Sequence, residues 1–248
     1  MGEVIVVTSG KGGVGKTTTT ANVGTGLAKL GKKVVLIDTD IGLRNLDVVM
    51  GLENHIIYNI VDVIEGNCRL HQAIIKDRKH SNLYLLPSAQ SKDKDAINPN
   101  QMVNLVEKLK TQYDYILIDA PPTLGGWVMN ILCASDRVII PVEASPWGMF
   151  GLANMFDFLN DVKQITPELS VMGVVLTKVD TRKNYFKQTM ETFKEMPDIH
   201  LFDTFIRVDS SIEWSQDSSA PVVEFKKSSR SAGEYMELAR EVMEYGSR

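Results

Sequence analysis

The chain has 248 residues, 44% of them hydrophobic and 23% charged, and its 27 Lys+Arg against 31 Asp+Glu give a formal net charge of −4. This is globular composition, and the mild acidity excludes a uniformly basic protein that coats nucleic acid, while a local basic patch is still allowed. The two cysteines, Cys68 and Cys133, have neither disulfide-framework nor zinc-cradle spacing and are expected as reduced, buried thiols.

In chain order, short β-branched runs at residues 4–8, 34–38, 83–87, 115–119, 138–142, 171–177 and 202–206 read as buried parallel strands. Between and after them, residues 18–30, 99–113, 124–134, 148–165, 184–194 and 231–245 carry apolar positions at helical spacing. The alternation predicts an α/β fold, a doubly wound, mostly parallel sheet with helices on both faces. Residues 88–100 read as a polar loop. No Pro/Gly/Ser linker divides the chain, so one domain over residues 1–248 is expected. The N-terminus lacks a basic and then apolar leader, and no run approaches the roughly 20 apolar residues of a membrane span, which predicts a cytoplasmic protein. Met1-Gly2 does not open a myristoylation signal, because Val6 stands where Ser or Thr is needed.

Directly after the first strand, Gly10-Lys11-Gly12-Gly13-Val14-Gly15-Lys16-Thr17 satisfies G-x-x-x-x-G-K-[S/T], and Thr18 continues into a predicted helix. Glycines let the backbone curl so that successive N–H groups face phosphate oxygens, and the helix N-terminus adds its positive end. Lys16 then supplies a point charge to the β- and γ-phosphates of ATP and Thr17 a hydroxyl to Mg2+. Lys11, a second lysine in the loop, reads either as solvent-facing or as a charge that a highly anionic ligand must neutralise.

The second strand ends in Asp38-Thr39-Asp40, which puts two carboxylates at the carboxyl edge of the sheet, where α/β folds bind ligands. Strand alternation keeps Asp38 and Asp40 on one side, one for the metal's hydration shell and one for an attacking water. A further apolar strand delivers Asp119, followed by Ala120-Pro121-Pro122, in the manner of a carboxylate that reaches Mg2+ through water.

The segment Lys11 to Thr18 resembles the deviant Walker A motif of the ParA/MinD family of P-loop ATPases. The resemblance implies slow ATP hydrolysis, an ATP-dependent homodimer into which Lys11 reaches across to the partner's phosphates, Asp40 as the water-positioning residue and Asp38 as a metal-side switch residue. It also implies that Thr177, Lys178 and Asp180 flank the adenine, with Asp209 at the base pocket, although Arg207 stands where many relatives carry proline.

The two halves resemble different branches. Asp38 to Asp47, Gly51 to Asn54 and the strings 86–90 and 92–96 resemble MinD-type ATPases of division-site placement. From Asp119 onward, with Lys227 to Tyr235, the chain resembles ParA-type DNA-segregation ATPases. Glutamates 234, 237, 241 and 244 make the last predicted helix acidic, and an anionic bilayer would repel it, so direct membrane binding is not expected. Lys226, Lys227 and Arg230 form a basic cluster, read either as solvated charge or as contacts to DNA phosphates. The leading expectation is an ATP-gated, non-specific DNA binder discharged by a ParB-like activator and held on the nucleoid when ATP-bound. The alternative is a MinD-like membrane-cycling ATPase. A metal-cluster carrier of the same fold is disfavoured, because Cys133 sits within an apolar helical pattern.

Overall fold

The computed structural model describes residues 1–43, 45–90 and 98–246. Arg44 and the string 92–96, part of the MinD-type resemblance, lie outside the described residues. Strands β1 (Glu3–Val7), β2 (Val34–Asp38), β3 (Ile75–Lys76), β4 (Leu83–Leu86), β5 (Tyr115–Asp119), β6 (Arg137–Glu143) and β7 (Ser170–Thr177) form one sheet in the order β3-β4-β2-β5-β1-β6-β7. Every pairing is parallel except that of the short edge strand β3 with β4. The doubly wound, mostly parallel sheet expected from the sequence is therefore present.

The helices are α1 (Lys16–Lys29), α2 (Leu46–Val49), α3 (Ile60–Ile64), α4 (Leu70–Ala73), α5 (Pro99–Lys110), α6 (Gly126–Cys133), α7 (Pro146–Ile165), α8 (Asn184–Lys194), α9 (Ser210–Asp217), α10 (Val222–Phe225) and α11 (Arg230–Tyr245). Alternate strand residues point to opposite faces, and each face makes its own core. Val4, Val6, Ile116 and Ile118 pack with Met102, Leu105 and Leu109 of α5 and with Val128 and Leu132 of α6. On the other face Ile5, Val7, Leu36 and Leu117 pack with Leu27 of α1 and with Tyr235, Leu238 and Val242 of α11. Helix α5 starts where Asn98 caps Gln101 N at 3.0 Å and Pro99 takes the first helical position. Helices α1 and α11 approach so closely at Gly26 that a Cβ there would stand 2.7 Å from Ala239 Cβ.

Two expectations need correction. Residues 202–206 are not a strand: Leu201 and Arg207 make only isolated bridges, to Val174 and Val179. The N–H groups of Asp203 and Thr204 donate to the Glu241 carboxylate at 2.8 and 2.9 Å, which takes them out of any ladder with β7. Cys68 and Cys133 are free thiols as expected but half-buried rather than buried. Among the described residues, no helix is long and apolar enough to cross a membrane.

Candidate nucleotide-binding site

The loop between β1 and α1 is shaped by its glycines. Gly13 and Gly15 hold φ of 76° and 94°, the left-handed region in which an L side chain is strained. Gly10 is constrained instead by its neighbour, since a Cβ there would meet the Gly151 carbonyl oxygen of α7 at 2.1 Å. Lys16, 7% exposed, places Nζ 3.4 Å from Ser9 Oγ, and Ser9 Oγ donates to the Lys11 carbonyl at 2.7 Å. Burial lowers the Lys16 pKa, and the attraction of Asp119 and Asp40 opposes that shift.

Asp38 and Asp119 are register partners on the adjacent strands β2 and β5, and both are buried. Burial, with repulsion from Asp119, pushes the Asp38 carboxyl up to about 8, against the pull of backbone N–H groups from Asp40 and Leu46 at 2.9 and 3.2 Å. Burial raises Asp119 to about 7, while the Thr17 hydroxyl and the Lys16 ammonium pull it down. Of the two, Asp119 is the carboxyl that a divalent cation would relieve, because the Asp38 oxygens are already taken by backbone N–H groups. Among the described residues no three His, Cys, Asp or Glu side chains form a ready metal cage. That fits Mg2+, which is usually held by one or two protein oxygens, phosphates and water.

A cleft of about 720 Å³ opens over this carboxyl edge, and Gly13, Val14, Gly15, Lys16, Thr17, Thr18, Asp40, Thr177, Lys178 and Asp209 line it. The volume suits a nucleotide-sized ligand. Other expected residues stand elsewhere. Asp38 is sealed behind the cleft, its oxygens occupied by the two N–H groups above, so it and Asp40 do not share one exposed side. Lys11 lies outside the cleft and pairs with Glu143 at 3.6 Å. Gly10, Gly12 and Asp119 do not line the cleft either. Asp180 is held by Arg182 through Nε and Nη2, both at 2.9 Å, and this pairing draws its pKa down to about 2.

Two residues expected at the base have structural duties. Thr177 Oγ1 donates to the Val14 carbonyl at 2.8 Å and so ties the phosphate loop to β7. Asp209 caps α9 by accepting Ser211 N at 2.9 Å and Ser231 N at 3.1 Å. The basic cluster is locally engaged. Lys226 lies over the Trp214 ring, Lys227 is 3.6 Å from Glu224, and Arg230 donates to the Val208 carbonyl at 2.6 Å. Sequence reasoning missed Ser9, Gln216 and Trp127. Gln216 lines the cleft and donates to Thr18 Oγ1 at 3.0 Å. Only Ser9, directly before the glycine run, carried a signal in its position.

Comparison with known proteins agrees with this geometry. A family model described as an AAA domain matches residues 2–171. The septum site-determining protein MinD of Thermotoga maritima is 40% identical over 210 residues, covering 80% of this chain and 78% of that one. Against other curated relatives that it matches, the chain spans about half their length, 53%. Among solved structures, the MinC:MinD cell division protein complex of Aquifex aeolicus aligns with a TM-score of 0.84 at 32% identity, over 98% of this chain and 96% of that one. MinD of Pyrococcus horikoshii, complexed with Mg-ADP, aligns with a TM-score of 0.83 at 28% identity and the same coverage. These relatives favour the division-site alternative, and DNA partition finds no support among them. With its phosphate loop, paired strand-end carboxylates and parallel sheet, the chain belongs to the ParA/MinD family of P-loop ATPases.

Proposed function

We propose that the protein is a cytoplasmic Mg-ATP-dependent ATPase of the MinD type, one ATPase domain over residues 1–248, that dimerises with ATP bound and acts in division-site placement. The observation that carries this reading is the gathering of Lys16, Thr17 and Asp40 around one cleft, above Asp119, in a chain similar to MinD over 98% of its length. Two functional parallels support this reading, the Mg-ADP held by the Pyrococcus protein and the MinC bound to the Aquifex one. A MinC-like partner is therefore proposed in place of a ParB-like activator.

The N–H groups of residues 13–18 receive the phosphates, and Lys16 moves from Ser9 Oγ to the β- and γ-phosphates. Thr17 and Asp119 are the residues that would hold Mg2+, directly and through water, with Asp38 fixing the loop behind them. Mg2+ held there would neutralise charge that develops on the transferred phosphoryl group. Asp40, at the cleft wall, orients the attacking water. Lys11 leaves Glu143 to reach the phosphates of a second copy, and the deviant Walker A reading rests on that exchange. The adenine lies against the backbone of residues 206–208 rather than against the side chains of Asp180 or Asp209.

The test is ATP turnover by the purified full chain with and without Mg2+, together with capture of a MinC-type protein by the ATP-loaded Asp40→Ala variant. Metal-dependent turnover and ATP-gated capture are expected. No turnover under any nucleotide and metal condition would reject the ATPase reading, and no capture the division-site reading.

A further inference from the structure

The peptide unit joining Thr39 to Asp40 is gripped at both ends. Its N–H, on Asp40, donates to Asp38 Oδ1 at 2.9 Å. Its carbonyl, on Thr39, accepts the indole N–H of Trp127 at 2.9 Å and the Ile41 N–H at 3.0 Å. Thr39 is further tied to β5, because its N–H and hydroxyl both donate to the Asp119 carbonyl, at 3.2 and 2.6 Å. The orientation of one peptide plane therefore decides where the Asp40 carboxylate points at the cleft wall.

Trp127 is the member of this set that comes from a helix rather than from the strand ends of β2 and β5. It sits at the start of α6, 7% exposed and packed in the core beneath β2 and β5. The chain reaches it from Asp119 through residues 120–126, and Ala120 and Pro122 of that segment line the cleft. The loop ends at Gly125 and Gly126, where a Cβ would meet nothing within 4 Å, so there is open space for a displacement of the loop end. Ala120 and Pro122 at the cleft wall and the Trp127 indole at the Thr39 carbonyl thus form a continuous covalent and hydrogen-bonded path from the cleft to the Asp40 peptide.

We infer that Trp127 is a positioning residue for Asp40, coupling occupancy of the γ-phosphate position to the placement of the hydrolytic carboxylate through the Trp127 Nε1 to Thr39 O hydrogen bond. The inference rests on the ATPase reading above and extends it to a residue with no part in phosphate binding. Trp127 does not line the cleft, so its loss is expected to act on turnover and not on affinity.

The experiment has two arms. In the first, Trp127→Phe keeps an aromatic ring in the core and removes the donor. The expected result is a fall in kcat of about tenfold, the size of one lost hydrogen bond, with KM for ATP within error of wild type and a melting temperature lowered by only a few degrees, as loss of one buried hydrogen bond requires. Unchanged kcat overturns the inference, and so does a rise in KM that accounts for the loss. Wild-type protein without turnover marks failure of the ATPase reading, which the variant comparison keeps separate.

The second arm needs no turnover and no change at Trp127. The chain has three tryptophans, and Trp147→Phe with Trp214→Phe leaves Trp127 as the sole indole. Its emission is expected to shift with Mg2+ and a non-hydrolysable ATP analogue and to stay near the nucleotide-free value with Mg-ADP. Identical emission in the two nucleotide states overturns the coupling, and this arm decides the matter if Trp127→Phe does not fold.

Discussion

Lys16, Asp40 and Lys11 divide the proposed chemistry among binding, turnover and assembly. Lys16 Nζ stands by Ser9 Oγ, a neutral partner that gives it up readily to phosphate. Lys16→Ala should therefore lose most nucleotide affinity, by roughly 100-fold or more, since Lys16 is the phosphate-loop lysine that lines the cleft; fluorescent-nucleotide titration reads this. Asp40→Ala should bind nucleotide normally yet turn over about 100-fold more slowly, within the range that a positioned base contributes. Lys11 is held by Glu143 in the single chain, and both side chains are more than a third exposed, so the pair is weak and easily exchanged. Lys11→Ala should abolish ATP-dependent dimers in light scattering while leaving nucleotide binding by the monomer within a few fold. Dimers that persist in Lys11→Ala would remove the basis for calling the loop deviant.

The helices that shape the cleft are held by polar contacts as much as by packing, and Asp209 is the clearest case. It caps α9, which presents Ile212 and Gln216 to the cleft, and it also accepts from Ser231 at the start of α11. These N–H groups outweigh partial burial and draw its pKa from 3.8 down to about 2. A carboxyl whose folded pKa is depressed stabilises the fold above its unfolded value, and that contribution disappears as pH falls from about 4 to about 2. Asp209→Ala should cost about 1 kcal/mol at pH 7, a drop of about 3 °C in melting temperature, with the gap from wild type closing as the pH falls through that window. Element boundaries were legible where a local rule acts alone, as in the Asn98 and Pro99 start of α5 or the one-sided apolar stripe of α11. The segment 202–206 was not. Its β-like composition describes a buried, extended chain, but whether it pairs depends on Glu241, about forty residues later, which takes the N–H groups a strand needs. Periodicity carries no information about that competitor.

The distribution of charge over the molecule separates the readings that the two halves of the sequence held apart. The phosphate loop and the strand-end aspartates were readable because glycine curl and carboxyl-edge placement are local consequences of sequence. The fate of the basic cluster and of the acidic last helix was not, because it depends on partners brought in by the fold. Two of the four glutamates of α11 face inward: Glu234 pairs with Arg207, and Glu241 holds Asp203 and Thr204. The apolar stripe of α11 is already covered by α1, so this helix is a core element, and its acidity says nothing about a bilayer. Arg230, although exposed, is engaged locally, donating to the Val208 carbonyl at the rim of the cleft and lying 3.7 Å from Glu234. An arginine that braces the base wall serves nucleotide binding, whereas one that meets DNA phosphates must leave its partners on a body of net charge −4. Arg230→Ala is therefore expected to weaken nucleotide affinity severalfold and to leave DNA retention at background across a salt titration of the ATP-loaded protein. Strong, ATP-gated DNA binding with a steep salt slope, lost on Arg230→Ala at constant nucleotide affinity, would reverse that assignment and restore partition as the function, since counterion release by freed basic side chains is the only term that produces such a slope.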